Sequence, residues 1–539
     1  MSIAEPMGPK VTFGIDLGTT FSCIARYDGE HERVEVLNNT EGRNITPSVV
    51  FVKDDDNFAV GETALNQVKG PHAKQVIAFT KRLLASDEMC EKNQFDQYPV
   101  FRGNRLNPTT VSSMILKKLT FLNENFQNIV KGERFGVVIT VPAYFSQSSR
   151  QRTREAGENA GLNVIGMIEE PIAAALSYGF GEKTRNKTEL VYDLGGGTFD
   201  ITVIRFGEDG VPVVLKKEGD PMKGGVDWDN KFGFYLWQKY IEDNPQEITL
   251  TLDDFKTPNT EDLPKLRKIN AFRSFAQKAK HELTTLDSVD VECDGDGNLV
   301  SVTLEEFNNE TSDLLNSTLG SVDELISDVG EIDQVLLVGG SSRMRQVKAG
   351  LEENFSQFKG KIEMCDPDQA VAKGAAIYAA ALKFNRIGGG GGPGPQPPKN
   401  GFKNIASYSY GMSCHRFCDD ALIVSNLINV GDELPAVGEE TFYTRNEGQD
   451  SVAVDVYESD RKNERNSKGE NMGIAIEAAK QVADGAHADF KGPVPKGTPV
   501  AVRFELSESG ELHIVAKPQG GEVLDFKVQL KGTGKGNQI

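Results

Sequence analysis

Two stretches of this chain are versions of one pattern: V-T-F-G-I-D-L-G-T-T-F at residues 11–21 and V-Y-D-L-G-G-G-T-F-D at residues 191–200. Each is a strand-forming run that meets Asp-Leu-Gly, then small or hydroxyl residues, then Phe. Consecutive glycines cost roughly 0.5–1 kcal/mol each relative to alanine. A chain tolerates that where its backbone must bend sharply or approach something closely. Carboxylates bracket the second turn at Asp193 and Asp200, with the Thr198 hydroxyl between them and Gly195, Gly196 and Gly197 at the bend. The first turn offers Asp16, Gly18, Thr19, Thr20 and Phe21. Bare amides can hold phosphate oxygens while acids hold a metal's waters. Alone, the second turn reads equally well as a plain glycine-rich hairpin. The internal repeat favours two related halves closing on one nucleotide.

Between and beyond the turns, strand and helix signals alternate. Residues 46–52 read as one strand, and residues 66–84 as a loop and a helix carrying Lys81 and Arg82. Residues 109–126 read as one amphipathic helix, with Met114, Leu116, Leu119 and Leu122 on its apolar side. A buried strand is predicted over 135–142, a helix over 146–160 stopped by Gly161, and a strand over 164–168. Glu169-Glu170-Pro171 opens another helix, where acids suit the positive end. Gly224-Gly225-Val226-Asp227 and a long helix over 263–286 follow. A third strand–glycine turn lies at 335–343, and a small-residue helix starts near 370. This alternation predicts α/β architecture. At 388–398 the composition turns to glycine and proline, a linker. Beyond it, short alternating runs at 451–457, 500–504, 511–516 and 524–528 predict a β-sandwich.

At 539 residues the chain is too long for one core. A formal net charge of −20 argues against nucleic-acid binding as its main work, because no basic surplus exists to release counterions. The N-terminus has no secretory pattern, the C-terminus no retention or lipidation motif, and no apolar run approaches the ~20 residues of a membrane span. Cys23, Cys90, Cys293, Cys365, Cys414 and Cys418 read as reduced thiols. The close pair Cys414 and Cys418 would need two more metal ligands, and only His415 lies nearby. A cytoplasmic protein without membrane or direct nucleic-acid partners is expected.

Neither a P-loop nor a well-placed Rossmann fingerprint is present. Five stretches carry a resemblance instead: GIDLGTTFS, VITVPAYFSQSSRQ, IEEPIAAALSYG, DLGGGTFD and LLVGGSSR. Together they resemble the 70-kDa heat-shock chaperones from about residue 11 to 530, more loosely in the C-terminal part. Sugar kinases and actin are poorer matches. The resemblance implies a duplicated actin-like α/β ATPase domain over 11–386, a Gly/Pro-rich linker over 387–403, a peptide-binding β-sandwich over 404–531 and a flexible tail over 532–539.

The same resemblance implies roles. Asp16 and Asp193 would hold the shell of a Mg²⁺ ion, with K⁺ an additional cation, and Thr19 and Thr20 would contact the phosphates of ATP. Lys81 matches the catalytic lysine, Glu170 the glutamate that senses the metal shell and orients the attacking water, Thr198 a hydroxyl beside the γ-phosphate, and Asp200 a neighbouring acid. Phosphoryl transfer asks mainly for such positioning and charge stabilisation. Gly224 and Gly225 are expected among the cofactor-binding residues, and Lys280, Thr284, Gly339, Gly340, Ser341, Arg343 and Asp368 fall on the nucleoside side. His281 is expected either near the base or facing solvent. Pro142 and Arg150 match positions that relay nucleotide state. Met412, Phe442 and Val452 are expected at the peptide pocket, with sandwich core at least as good a reading for Phe442 and Val452.

Departures accompany the matches. Gln277 stands where the family usually has glutamate and Thr284 where it has serine. The linker lacks the family's leucine-rich strand and instead holds glycine, proline, Lys399, Phe402 and Lys403. The sequence stops before a helical lid, which predicts faster peptide release. The expected activity is ATP hydrolysis coupled to binding exposed apolar segments of unfolded or nascent polypeptides, with a J-domain co-chaperone and a nucleotide exchange factor as partners. The alternative is an ATP-binding co-chaperone scaffold of the ribosome-associated kind with little or no hydrolysis. A small-molecule kinase is a third, remote reading.

Overall fold

The duplicated turn sits in a duplicated sheet. The computed structural model describes residues 9–28, 31, 33–86, 90, 98–179, 186–208, 212–257, 261–294, 297–327, 329–387, 405–416, 419–466, 471–507 and 510–528. The stretch 388–398, Lys399, Phe402, Lys403, Cys418 and residues 532–539 lie outside the described residues.

The first lobe contains β1 (Val11–Asp16), β2 (Phe21–Asp28) and β3 (Arg33–Val36). Helices α1 (Thr80–Ala85), α2 (Pro108–Leu119) and α3 (Glu124–Val130) follow. Then come β4 (Phe135–Val141), α4 (Gln147–Asn159), β5 (Val164–Glu169) and α5 (Glu170–Gly179). The strand order is β3-β2-β1-β4-β5, with β1 antiparallel to β2 and parallel to β4. The second lobe contains β6 (Thr188–Leu194), β7 (Phe199–Phe206) and β8 (Pro212–Asp220). After them come α6 (Gly225–Asp243), α7 (Leu263–Glu282), β9 (Gln334–Val338), β10 (Ile362–Met364) and α8 (Ala370–Ile387). Its order is β8-β7-β6-β9-β10, again with the first pairs antiparallel and the last parallel. The two sheets therefore share one topology, and the two Asp-Leu-Gly turns occupy equivalent hairpins, β1–β2 and β6–β7.

Helices α5 and α8 join the lobes. A Cβ at Gly374 would lie 1.7 Å from the Ala173 carbonyl oxygen, so only glycine lets these helices cross so closely. Ala173, Ala174 and Ala175 of α5 and Ala370, Ala375 and Ala379 of α8 share one apolar cluster with Val191 and Leu336 of the second sheet. The small-residue composition predicted near 370 is what this crossing requires.

Two predicted elements are split. Residues 46–52 form two short strands, Thr46–Pro47 paired with β2 and Val50–Val52 in a separate sheet. The single helix over 109–126 is two helices, α2 and α3. The Thr120 hydroxyl donates to the Leu116 carbonyl at 2.7 Å. The Asn123 side chain accepts from the Asn125 amide at 3.0 Å and caps α3. Such local bonds offer the backbone an alternative to continued helix. Leu122, placed on the apolar stripe by periodicity, is 51% exposed in the break.

The C-terminal part is a sandwich. Strands β11 (Ser409–His415), β12 (Leu422–Ile428), β13 (Ala436–Tyr443) and β14 (Gln449–Ser459) come first. They are followed by β15 (Glu464–Arg465), β16 (Asn471–Ala475), β17 (Lys480–Val494), β18 (Pro499–Leu506), β19 (Leu512–Pro518) and β20 (Leu524–Lys527). One sheet runs β15-β16-β12-β11-β14-β17 and the other β13-β18-β19-β20. Met412, Val454, Val456, Val502, Phe504 and Ile514 fill the space between them.

One buried charge in the second lobe has a measurable consequence. Glu189, on β6, is fully buried, and among the described residues neither carboxylate oxygen has a hydrogen-bond partner. Burial pushes its carboxyl up to about 7, with Glu363 and Asp333 adding to the shift and Lys187 opposing it. The folded state thus keeps a proton that the unfolded chain releases near pH 4.5, so stability falls as pH rises from about 4.5 to 7. Glu189→Gln is expected to raise the melting temperature at pH 8, recovering roughly 2–3 kcal/mol, and to leave it unchanged at pH 4.5. Thermal melts of both chains at the two pH values check this.

Candidate nucleotide site

A cleft of about 400 Å³ opens between the lobes, with one wall from each copy of the turn. Asp16, Gly18, Thr19, Thr20 and Phe21 line it from the first lobe, and Asp193, Gly195, Gly196 and Thr198 from the second. The turns meet directly. A Cβ at Gly196 would lie 1.9 Å from the Thr20 hydroxyl, and one at Gly197 would lie 2.3 Å from the Thr19 methyl. The glycines are therefore required by the closeness of the two halves. Gly224 presses its Cα on the backbone of Gly197, where a Cβ would sit 2.5 Å from the Gly197 carbonyl carbon. Amides at the start of α6 donate to the turn, from Gly225 to Gly195 at 2.9 Å and from Val226 to Gly196 at 2.8 Å.

Lys81 and Glu170 close the base of the cleft as an ion pair, and both are buried. Lys81 comes from the first turn of α1, behind Phe79, which holds a left-handed φ of 58°. Glu170 is the first residue of α5, directly after β5. Its neighbour Glu169 ends the strand and faces another way, toward Arg150 at 2.7 Å and Lys217 at 2.9 Å. One strand-to-helix junction thus supplies carboxylates to two places.

The acids outnumber the cations in this cleft. Burial, then Glu170, pushes Asp193 up to about 8 and Asp16 to about 7. Asp200 rises well above the carboxylate range through burial, then Glu170 and Asp193. Burial alone would lower the Lys81 ammonium, but Glu170 and Asp16 override it and hold its pKa above the usual value. One lysine faces four carboxyl groups, and the buried Thr19 hydroxyl has no hydrogen-bond partner among the described residues. Oxygen donors in excess of positive charge suit a hard divalent cation together with phosphate, so the donor set fits Mg²⁺–ATP.

The other end of the cleft is lined by Gly225, Lys280, Thr284, Gly339, Gly340, Ser341, Arg343 and Asp368. Lys280 bonds the Gly225 carbonyl at 3.1 Å and Asp229 at 2.8 Å. Arg343 pairs with Asp368 at 2.8 Å across the rim. His281 and Gln277 line this end too, and His281 is exposed at its rim. Asp200, Gly197 and Gly224 stand behind the walls. Sequence reasoning missed Asp229, whose signal is its place four residues after Gly225 on α6. It also gave no role to Arg82, which bonds the Gly197 carbonyl at 2.7 Å and pairs with Asp227.

Asp200 reaches toward the sandwich. One of its oxygens accepts from the Ala143 amide at 3.1 Å, just after the buried Pro142. The Ala143 carbonyl accepts from Arg150 at 3.3 Å and from the Ser407 hydroxyl at 2.9 Å. The Tyr408 hydroxyl donates to the Tyr144 carbonyl at 2.8 Å, and Lys217 to the Ile405 carbonyl at 3.0 Å. Of the three peptide-pocket positions, Met412 is only 2% exposed, inside the sandwich core, while Phe442 and Val452 are half-buried against it. Among the described residues no cluster of His, Cys, Asp and Glu has the form of a protein-ligated metal site, and Cys414 is a free thiol.

The family model described as "Hsp70 protein" matches residues 12–535. The chain is 32% identical to a mitochondrial 70-kDa heat shock protein of Dictyostelium discoideum, over 96% of this chain and 75% of that protein. It is 31% identical to the chaperone protein DnaK of Psychrobacter cryohalolentis, over 94% of this chain and 75% of that protein. It is 30% identical to a 70-kDa heat shock protein of Neurospora crassa, over 99% of this chain and 77% of that protein.

Proposed function

The chain belongs to the Hsp70 family, and from that premise we propose how its residues bind ATP, hydrolyse it and signal the result. The family is one of ATP-dependent chaperones whose members are ATPases, and this chain is one of them. The domain plan we propose is the ATPase unit over 11–386, the linker over 387–403, the polypeptide-binding sandwich over 404–531 and the tail over 532–539.

Asp16 and Asp193 would hold hydrated Mg²⁺, which would neutralise charge on the phosphates, and K⁺ would be a further cation of the same acid cluster. Amides of Gly195, Gly196 and Gly197, with Thr19 and Thr20, cradle the phosphate oxygens. Thr198 orients the γ-phosphate. Glu170 orients the attacking water, and Lys81 stabilises charge developing on the γ-phosphate. Lys280, Thr284, Ser341 and Arg343 hold ribose and base. The observation that carries this reading is the buried Lys81–Glu170 pair, one residue from α1 and one from α5, at the meeting of the two turns. Single-turnover hydrolysis of ATP, with and without an unfolded peptide, tests it. Turnover that rises with peptide is expected, and tight ATP binding without turnover overturns the assignment.

The path from Asp200 through Ala143 to Ser407, flanked by Pro142 and Arg150, supports a relay to the sandwich. Arg150→Ala removes one cation from Glu169 but leaves Lys217 in place. Basal turnover is expected to stay within about twofold, and stimulation by peptide to fall by about tenfold or more, one lost charged hydrogen bond being worth roughly 1.5–3 kcal/mol. Equal stimulation in both chains, read by steady-state phosphate release, would exclude Arg150 from the relay. The clients we propose are unfolded or nascent polypeptides, with a J-domain co-chaperone and a nucleotide exchange factor as partners, in the cytoplasm. Among the described residues no helix is long and apolar enough to cross a membrane.

A further inference from the structure

At one end of the sandwich, two turns are tied together by side chains. Arg445, between β13 and β14, places Nη1 2.8 Å from Nε2 of His415, at the end of β11. Its Nη2 donates to the Asp420 carboxylate at 2.5 Å. Nδ1 of His415 lies 3.0 Å from the Asp420 carbonyl oxygen. A guanidinium has donors and no acceptor. Nε2 must therefore accept, and it carries no proton. Nδ1 holds the proton and donates it to the Asp420 carbonyl. The geometry fixes His415 as the neutral Nδ1–H tautomer.

Asp420 uses both its carbonyl and its carboxylate here, at a left-handed φ of 59° that aspartate accepts better than most residues. Its turn is anchored at the other side, where Arg416 grips Asp419 at 2.9 and 2.7 Å and the Met472 carbonyl of β16 at 3.3 Å. The strands that end at this tie carry apolar side chains that the core does not take in. Tyr443 is 65% exposed and Leu422 46%, with Phe442 and Val452 half-buried beside them.

We propose that His415, Asp420 and Arg445 form a strap across the polypeptide-binding end of the sandwich, and that protonation of His415 opens it and speeds release of bound apolar segments. This rests on the polypeptide-binding reading of the sandwich. Protonation puts a second N–H where Arg445 donates, so an acceptor is lost and two cations face each other. The charged groups facing His415 are Arg445 and the Asp420 carboxylate, whose Oδ1 is 3.5 Å from Nδ1. Asp420 attracts the imidazolium, but Arg445 already engages its carboxylate, so the two cations compete for it. Arg445 and Asp420 are both exposed, so the strap can part without unfolding the sandwich.

The test is the dissociation rate of a fluorescently labelled, leucine-rich extended peptide from the full chain at pH 7.5 and pH 5.5. Release is expected to be about five- to tenfold faster at the lower pH, as for one lost hydrogen bond. Arg445→Ala is expected to release fast at both pH values. His415→Gln is expected to release slowly at both, because a side-chain amide oxygen accepts from Arg445 and does not titrate. Release that ignores pH in the native chain, or Arg445→Ala at the native rate at pH 7.5, overturns the strap. A peptide-free reading comes from ¹⁵N chemical shifts of His415 at pH 7.5. A protonated Nδ1 and bare Nε2 support the strap, and a protonated Nε2 overturns it. Failure of the peptide to bind a chain with the expected tautomer overturns the polypeptide reading and leaves the tie itself standing.

Discussion

Lys81→Met is expected to abolish turnover while ATP still binds. The single-turnover rate should fall about 10²–10³-fold, as when one preorganised charge or donor is removed from a reacting centre. Nucleotide affinity should change far less, because the glycine turns, Lys280 and Arg343 stay in place. The variant also leaves Glu170 buried beside Asp16, Asp193 and Asp200 with no ammonium among them. Stripping one partner from a buried pair costs roughly 3–5 kcal/mol, here reduced because burial and Glu170 push Asp193 up to about 8 and Asp16 up to about 7, which lowers the negative charge around Glu170. The nucleotide-free variant should therefore melt below the native chain. Added Mg²⁺–ATP should close most of that gap, since it returns positive charge to the acids. Rapid-quench hydrolysis and paired melts with and without Mg²⁺–ATP read both effects. Native-rate hydrolysis in Lys81→Met would remove this residue from the chemistry.

How much of this could be read in the sequence depended on where each constraint lies. The repeated Asp-Leu-Gly turns are local, and a local signal carried the duplication, because any residue but glycine at 196 or 197 would strike Thr20 or Thr19. The helix over 109–126 was misread because periodicity reports burial and not continuity. Thr120 and Asn123 are buried polar residues whose side chains end one helix and cap the next. Asp229 and Arg82 were missed for a different reason. Their roles exist only through Lys280 and through Gly197 with Asp227, which lie 51 and 115 to 145 residues away. Met412 stood among the peptide-pocket positions, and its burial places it in the sandwich core. An alternating strand announces two faces without saying which one the second sheet covers. The tie between His415 and Arg445 left no mark in the sequence at all, since it joins the end of β11 to the loop between β13 and β14, 30 residues away.

Gly224→Ala should nearly eliminate nucleotide binding from a position that never lines the cleft. The three nearest atoms to a Cβ there are backbone atoms of Gly197 and Thr198, all within 2.6 Å. A flexible side chain could turn aside, but a strand-to-strand turn cannot. The start of α6 must then move away from the second turn. That movement breaks the bonds from Gly225 to Gly195 and from Val226 to Gly196 that set the shape of the phosphate cradle. Gly225 is displaced with them, and its carbonyl is what Lys280 holds. An overpacked contact of this kind costs roughly 1–3 kcal/mol of stability, which a protein of this size survives. The loss of aligned amides and of Lys280's position is expected to weaken Mg²⁺–ATP by about 100-fold or more, two misplaced charged hydrogen bonds accounting for that much. Gly320→Ala is the matched control. It lies exposed in the helix Ser312–Ile326 with nothing within 4 Å of a Cβ, so the same substitution should raise stability slightly and leave affinity alone. Calorimetric titration of both variants separates a general glycine effect from a blocked cradle. Native affinity in Gly224→Ala would mean that the second turn adjusts independently of α6.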